Sequence, residues 1–321
     1  MVLFKNNDEV IFLLIMKKIK TQIKYYLKYL NPFSQALNQW LMPNDCYITC
    51  SGKVDGGGAQ AHAIMSTMVF AEEMGLQYAH TPFVEIEHNS EDIKDWVCDW
   101  EVFLNLGLDE VSAKELIDSG IQKRPIRSLK SWKRKRKTLF EVPFSHEYTD
   151  CFPRSYLSLR KRLRMKYWAT DKKSFDPRYN QEKISIAVHI RRGDVSNKVN
   201  SKRFTGNAEI VLKLKKILSG IGKSRELVEI RIYSQGDKAD FQEFLELNAS
   251  LHIDEDVFST VHALVCADVL VMSKSSMSYI AGILSEGLVI YEPFWHQPLP
   301  QWLEVDHNKS IDARHFNRFS L

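Results

Sequence analysis

The sequence predicts an α/β protein built of two doubly wound domains, and three observations carry that expectation. Strand-like and helix-like segments alternate along most of the 321 residues. A β-branched run, Ile184, Ile186, Val188 and Ile190, stops abruptly at Arg191-Arg192-Gly193-Asp194. A second apolar run, Asp268 to Met272, stops at a serine-rich turn, Ser273 to Ser276, before the apolar stretch Met277 to Leu284. Open α/β sheets bind ligands beyond the carboxyl ends of buried strands, and both runs end on groups suited to an anion. A chain of this length with 44% hydrophobic residues can fill two cores of ordinary size.

The chain opens with a short apolar run, Val10 to Met16, followed by Lys17, Lys18 and Lys20. A bilayer needs about 20 apolar residues, so this run does not span one. Asp8 and Glu9 precede it and no small-residue cleavage site follows, which argues against a leader. Residues 1–44 are expected to form an amphipathic extension packed on the body, with attachment to a membrane surface as the alternative.

The first domain is expected over 45–180. Tyr47 to Cys50 reads as its opening strand, Ser51 to Gln60 as a glycine-rich loop and Ala61 to Met74 as the helix that follows. Leu76 to His80 and Leu139 to Val142 are further strand candidates. Ile93 to Leu106 has helical spacing, and its Trp96, Trp100 and Phe103 read as core rather than as a sugar platform. Tyr156 to Trp168 reads as a basic helix.

Polar Asp171 to Lys183, with Pro177, is the expected linker to a second domain over 181–321. The strand Ile184 to Ile190 leads, followed by a helix from Asn207 to Ser219, a strand from Leu227 to Ser234 and a helix from Lys238 to Leu247. A helix from Val257 to Cys266 precedes the strand and serine turn, and Leu288 to Tyr291 is the last strand. Pro293, Pro298 and Pro300 break regular structure around Trp295, His296 and Trp302, and the tail is expected to cross back to the first domain.

The candidate site residues follow from this layout. Guanidinium groups offer a planar fork to phosphate oxygens, so Arg191 and Arg192 are expected to grip a diphosphate. The competing reading is that one arginine caps a carbonyl and the other pairs with Asp194 in a structural ion pair. Ser273, Ser275, Ser276 and Ser278 lie where a helix start has unpaired N–H groups, a natural anion seat, although one serine could be only an N-cap. Gly56, Gly57 and Gly58 remove every Cβ from the upstream turn, so that backbone there is expected to take positive φ and approach a ligand. That loop has neither the dinucleotide fingerprint nor the phosphate-loop ending. Ser234 and Asp237, again at a strand end, and His252 to Asp256 are further donor contacts, with helix capping as the alternative for Asp237 and Asp256.

Together these elements resemble the fucosyltransferase superfamily that holds the α-1,2-, α-1,6- and protein O-fucosyltransferases and the rhizobial nodulation enzyme. The family's glycine loop is matched by Gly56, Gly57, Gly58, Ala59 and Gln60. Its His-x-Arg-Arg-x-Asp element is matched by His189, Arg191, Arg192 and Asp194, and its late serine motif by Asp268, Ser273, Ser275, Ser276 and Ser278. The resemblance implies a GT-B fold, with two Rossmann-like domains facing a cleft. It also implies a nucleotide-diphosphate sugar donor, usually GDP-fucose, inversion at the anomeric carbon, a glycan or glycoprotein acceptor, and no required metal or other cofactor. The loop departs from the family in one respect: Gly-Gly-Gly-Ala-Gln replaces Gly-x-x-Gly-Asn-Gln, so the family's asparagine is missing and donor and acceptor choice stay open.

On this reading Arg191, Arg192 and the helix start at Ser275 to Ser278 neutralise the departing diphosphate. Asp55, by slight preference, or Asp194 serves as general base. The alternatives are transfer of another sugar from a UDP donor and a catalytically silent binding protein on the same fold.

Charge adds little, since 44 basic residues face 40 acidic ones. The runs Lys123 to Lys137 and Arg160 to Lys166 are concentrated but read first as solvated faces, and no nucleic-acid motif accompanies them. The five cysteines lack metal-ligand spacing, and their odd number favours reduced thiols and a cytoplasmic setting, with a secretory-pathway lumen as the alternative. Asn248-Ala249-Ser250 and Asn308-Lys309-Ser310 match a glycosylation pattern short enough to arise by chance.

Overall fold

The computed structural model describes residues 45–319 apart from 90–92, 128, 130–132, 134 and 306–312, together with Met16, Lys20 and Ile23. The expected extension over 1–44, save those three positions, lies outside the described residues, as does Asn308-Lys309-Ser310. Two compact units result. The first comprises the described residues up to Asp55 with Ala63–Glu101 and Leu106–Arg162, and the second comprises Gly56–His62, Val102–Asn105 and Leu163–Leu321. No described helix is long and apolar enough to cross a membrane.

The first unit carries five parallel strands: β1 (Cys46–Cys50), β2 (Gln77–His80), β3 (Val111–Ser112), β4 (Gln122–Pro125) and β5 (Thr138–Val142). Their order is β3-β2-β1-β5-β4, with β1 central and its Ile48 fully buried. The helices introduced along this part of the chain are α1 (Gly57–Met74), α2 (Trp96–Leu104), α3 (Ala113–Asp118), α4 (His146–Thr149) and α5 (Tyr156–Trp168). Trp96, Trp100 and Phe103 of α2 are all buried, as their spacing predicts.

Two strands of the first unit are not visible in the sequence, for different reasons. β3 is too short to show a period. β4 has the sequence Gln-Lys-Arg-Pro with every residue exposed, the polar, proline-ended character that protects a sheet edge, so it carries no apolar signal. The described Lys and Arg residues of 123–137 are exposed, as expected of a solvated face, whereas the run 160–166 is partly drawn inward. Lys123 pairs with Glu141 at 2.6 Å, and Arg162 reaches Glu110 at 3.3 Å and Glu72 at 3.6 Å. Arg164 pairs with Glu286 at 3.0 Å, and Lys166 is buried.

The second unit is a six-stranded parallel sheet: β6 (Ile184–His189), β7 (Val228–Ser234), β8 (Ala249–Ile253), β9 (Val269–Val271), β10 (Leu288–Tyr291) and β11 (Leu303–Glu304). The order β8-β7-β6-β9-β10-β11 is that of a dinucleotide-fold sheet, third, second, first, fourth, fifth and sixth. α6 (Asn207–Ile221), α7 (Val257–Cys266) and α8 (Ser276–Leu284) are its principal helices. Ile186, Val188, Ile230, Ile232, Leu214 and Ile217 are sealed in one core, each burial contributing about 1.5–3 kcal/mol. The edge strand β8 was missed because its residues are mostly half-exposed and mixed in character. Lys238–Leu247 is a 3-10 helix kinked at Phe241 rather than a regular α-helix. The tail does not behave as the sequence reading expects. Phe316 is buried in the core of the second unit, its ring filling the space that a Cβ at Gly220 would occupy.

The glycine run departs most from expectation. Helix α1 starts inside it, with the Gly56 carbonyl accepting from Ala59 and Gln60, and neither Gly56, Gly57 nor Gly58 has positive φ. Gly58 instead permits a close approach within the second unit: a Cβ there would lie 2.8 Å from Met277 Cα and 2.9 Å from Met277 N. The missing side chain makes room for the backbone of α8. Gly58→Ala is therefore expected to lower the thermal midpoint. Adding a methyl against fixed backbone costs about 1–3 kcal/mol, which exceeds the gain of at most about 1 kcal/mol from better helix propensity. An unchanged or raised midpoint contradicts this packing.

Candidate functional site

Strands β6 and β9 are neighbours although distant in sequence, so the winding of the second sheet reverses between them. Crevices at such reversals hold ligands. The residues that follow the two strands, Arg191 to Asp194 and Ser273 to Ser276, share the carboxyl edge of the sheet there. A pocket opens at this edge, lined among others by His189, Arg191, Arg192, Ser273, Lys213 and Glu292.

Arg191 spans the two strand ends. Its Nη2 donates to Asp194 Oδ2 at 2.8 Å and its Nη1 to Ser275 Oγ at 3.2 Å. Its Nε is buried, and no described residue accepts from it. A buried donor left over on a charged group calls for an acceptor, and the remaining one is expected from a ligand. Ser275 is also the N-cap of α8, accepting from Met277 N–H at 3.3 Å. Ser276 opens that helix and is half-buried. The arginine fork and the helix start therefore meet at one hydroxyl.

Behind this pair, the turn is braced. Ser273 Oγ lies 2.8 Å from His189 Nδ1, and Ser278 Oγ donates to the carbonyls of Ser273 and Ser275 at 3.1 and 3.2 Å. Arg192 differs from Arg191 in what it touches. Its Nη1 donates to the Arg191 carbonyl at 2.8 Å, and its Nη2 to the Thr205 carbonyl at 3.0 Å and Asn207 Oδ1 at 2.6 Å. The Phe204 ring lies 4.5 Å from its guanidinium carbon. Gly193 sits at φ +72°, in the left-handed region, and Gln235 fills the space its Cβ would need.

Other candidates take structural positions. Asp268 lies at the amino end of β9, accepting from Ser185 N–H at 2.9 Å and Ser185 Oγ at 2.8 Å, so it ties strand starts rather than joining the arginines. Ser234 Oγ donates to the Ile190 carbonyl at 2.8 Å, linking β7 to β6. Asp237 caps the 3-10 helix through Ala239 N–H at 2.8 Å, and Asp256 caps α7 through Ser259 N–H at 2.8 Å. Gln60 is buried in the first turn of α1. Asp55 belongs to the first unit, paired with Lys53 at 2.8 Å.

Four residues that line the pocket, Arg203, Thr205, Lys213 and Glu292, carry no expectation from the sequence. Lys213 and Glu292 form a buried ion pair, their side chains 4% and 6% exposed, and Thr205 Oγ1 donates to Glu292 Oε1 at 3.2 Å. Lys274 lies 3.8 Å from the same carboxylate, and its ammonium donates to the Phe204 carbonyl at 3.3 Å. Arg203 lies over the Trp295 ring at 4.7 Å with its Nη1 3.9 Å from Asp194 Oδ2. The signals were present. Lys213 interrupts the apolar stripe Ile210, Leu214, Ile217 of α6, and Glu292 follows directly on a fully buried strand. The pocket wall thus has four basic side chains, Arg191, Arg192, Arg203 and Lys213, against the carboxylate of Glu292 in the wall and that of Asp194 beside Arg191, a surplus suited to an anion of more than one charge.

No family model matches the chain, and none of the curated proteins is similar to it. Among solved structures it is similar to FUT1 of Arabidopsis thaliana, a mutant in complex with GDP. The identity there is 12%, over 88% of this chain and 81% of that one, with a TM-score of 0.39. It is similar also to the E. coli heptosyltransferase WaaC with ADP-2-deoxy-2-fluoro heptose, at 10% identity over 86% and 98% of the two chains and a TM-score of 0.33. A fucosyltransferase from Bradyrhizobium shows 11% identity over 76% and 94%, with a TM-score of 0.33.

Burial, and then the Arg191 charge, lower the His189 pKa from 6.5 to about 3, so the imidazole is neutral. His262 is lowered to about 4, by burial and then Lys172. Between these values and 6.5 the unfolded chain binds more protons than the folded one. The contribution is therefore complete above about pH 6.5 and is lost as pH falls toward 4 and 3. Denaturant midpoints measured against pH should decline over that window, and His189→Asn should flatten the decline. An equally steep decline in that variant would show that His189 is not held neutral.

Proposed function

We propose that the chain is a glycosyltransferase whose second unit binds the diphosphate of a nucleotide sugar, with GDP-fucose the favoured donor. One observation carries this reading: at the reversal of a dinucleotide-type sheet, Arg191 is held between Asp194 and Ser275 with its buried Nε lacking an acceptor. The surplus of basic groups in the same pocket supports it, as does the sequence resemblance of the His189-x-Arg191-Arg192-x-Asp194 element to fucosyltransferases.

In glycosyl transfer the bond from the anomeric carbon to the phosphate oxygen breaks while an acceptor hydroxyl oxygen bonds to that carbon and gives up its proton to a base or to solvent. Negative charge collects on the departing diphosphate. Arg191 and the amino end of α8 meet that charge with donors already oriented, and Arg203 and Lys213 add to the positive field around it. Arg192 supports the turn from behind, since its bonds go to the Arg191 and Thr205 carbonyls and to Asn207. On this reading the cationic wall serves the leaving group without a metal. Asp194 orients the Arg191 fork.

A thermal-shift panel of GDP, UDP, GDP-fucose and UDP-sugars, with and without EDTA, tests the reading. A ligand at 100 times its Kd stabilises the native state by about 2.7 kcal/mol. GDP and GDP-fucose should raise the midpoint most and do so equally with EDTA. Arg191→Ala should abolish the shift and reduce turnover by about a hundredfold or more while leaving the unliganded midpoint within a few degrees. Indifference of the parent protein to every nucleotide would overturn the proposal, and a response confined to UDP compounds would reassign the donor.

A further inference from the structure

We propose that Glu292 is a positioning residue for the diphosphate-facing turn, acting through Thr205 and Arg192 and itself held by Lys213; the inference rests on the nucleotide-sugar reading above. The contacts form an unbroken path. The Lys213 ammonium pairs with Glu292 Oε2, and Glu292 Oε1 accepts from the Thr205 hydroxyl at 3.2 Å. The Thr205 carbonyl accepts from Arg192 Nη2 at 3.0 Å, and Arg192 Nη1 donates to the Arg191 carbonyl at 2.8 Å. Helix α6 and the end of β10 are thereby tied to the peptide that carries Arg191.

Stability alone is a poor account of this arrangement. Removing two charges from water costs several kcal/mol per ion, and well-packed apolar residues in place of a buried pair are often neutral or stabilising. Geometry offers a better one. The Arg191 turn leaves the sheet edge at a left-handed glycine, Gly193, and a misplacement of about 1 Å in a group that meets a developing charge can cost about a hundredfold in rate. A rigid carboxylate bracing Thr205, and through it Arg192, restricts that turn. Glu292 acts through other groups and does not itself touch the donor.

Four proteins separate this role from a merely structural one: the parent, Thr205→Ser, Thr205→Val and the double variant Lys213→Met/Glu292→Leu. Affinity for GDP and UDP is read by titration calorimetry, and the unliganded midpoint by thermal denaturation. The double variant removes one charge of each sign and leaves the net charge of the pocket unchanged, and a loss of affinity that it shares with Thr205→Val, which alters no charge, reports geometry. Thr205→Ser keeps the hydroxyl that reaches Glu292, and Thr205→Val keeps the volume without it. The expected result is affinity within about twofold of the parent for Thr205→Ser. Thr205→Val and the double variant should bind about tenfold more weakly, with the double variant's midpoint at or above that of the parent. Parent-like affinity in Thr205→Val and the double variant, or equal losses in the serine and valine variants, would overturn the positioning role and leave the nucleotide reading standing. A parent protein that binds neither diphosphate would overturn both.

Discussion

The structure of the candidate site depends on how one arginine is held. Arg191 leaves the end of β6 and is fixed on two sides, by Asp194 on its own turn and by Ser275 at the head of α8. Neither contact is worth much alone in a half-exposed place. Together they bridge two strands that are neighbours only because the winding of the sheet reverses between β6 and β9. The fork is oriented before any ligand arrives, and one buried donor remains to be satisfied.

The position of α8 is the second constraint, and both of its ends are secured within the same unit. At the amino end the helix backbone lies against Gly58, where any side chain would meet Met277. At the carboxyl end the Arg164 guanidinium donates to the carbonyl of Leu284, the last residue of the helix, which satisfies a group that helices leave unpaired. Ser275 is thus presented to Arg191 by a helix with little room to shift. Gly58 serves close packing of backbone on backbone, a different use of the missing Cβ from the ligand approach the glycine run suggested.

Much of this was legible in the sequence because burial leaves a strong mark. The run from Ile184 to Ile190 announced a central strand, the serines before Met277 announced a helix start, and helical spacing placed Trp96, Trp100 and Phe103 in the core. Edge strands were not legible, since β4 and β8 are paired on one side only and need no apolar pattern. Residue type also failed to separate Arg191 from Arg192. Adjacent arginines look alike in sequence, and only the fold shows that one spans two strand ends while the other binds backbone carbonyls and Asn207. Lys213 was readable as a charge in an apolar stripe, but its partner Glu292 is 79 residues away, and sequence separation hides such pairs.

Where a diphosphate lies decides the role of Arg191. A crystal structure of the protein grown with GDP measures this most directly. Phosphate oxygens are expected about 3 Å from Arg191 Nε and at the amino end of α8, with the contacts from Arg191 to Asp194 and Ser275 retained or exchanged for phosphate. GDP bound with its phosphates away from Arg191 and the Ser275 turn would contradict that role.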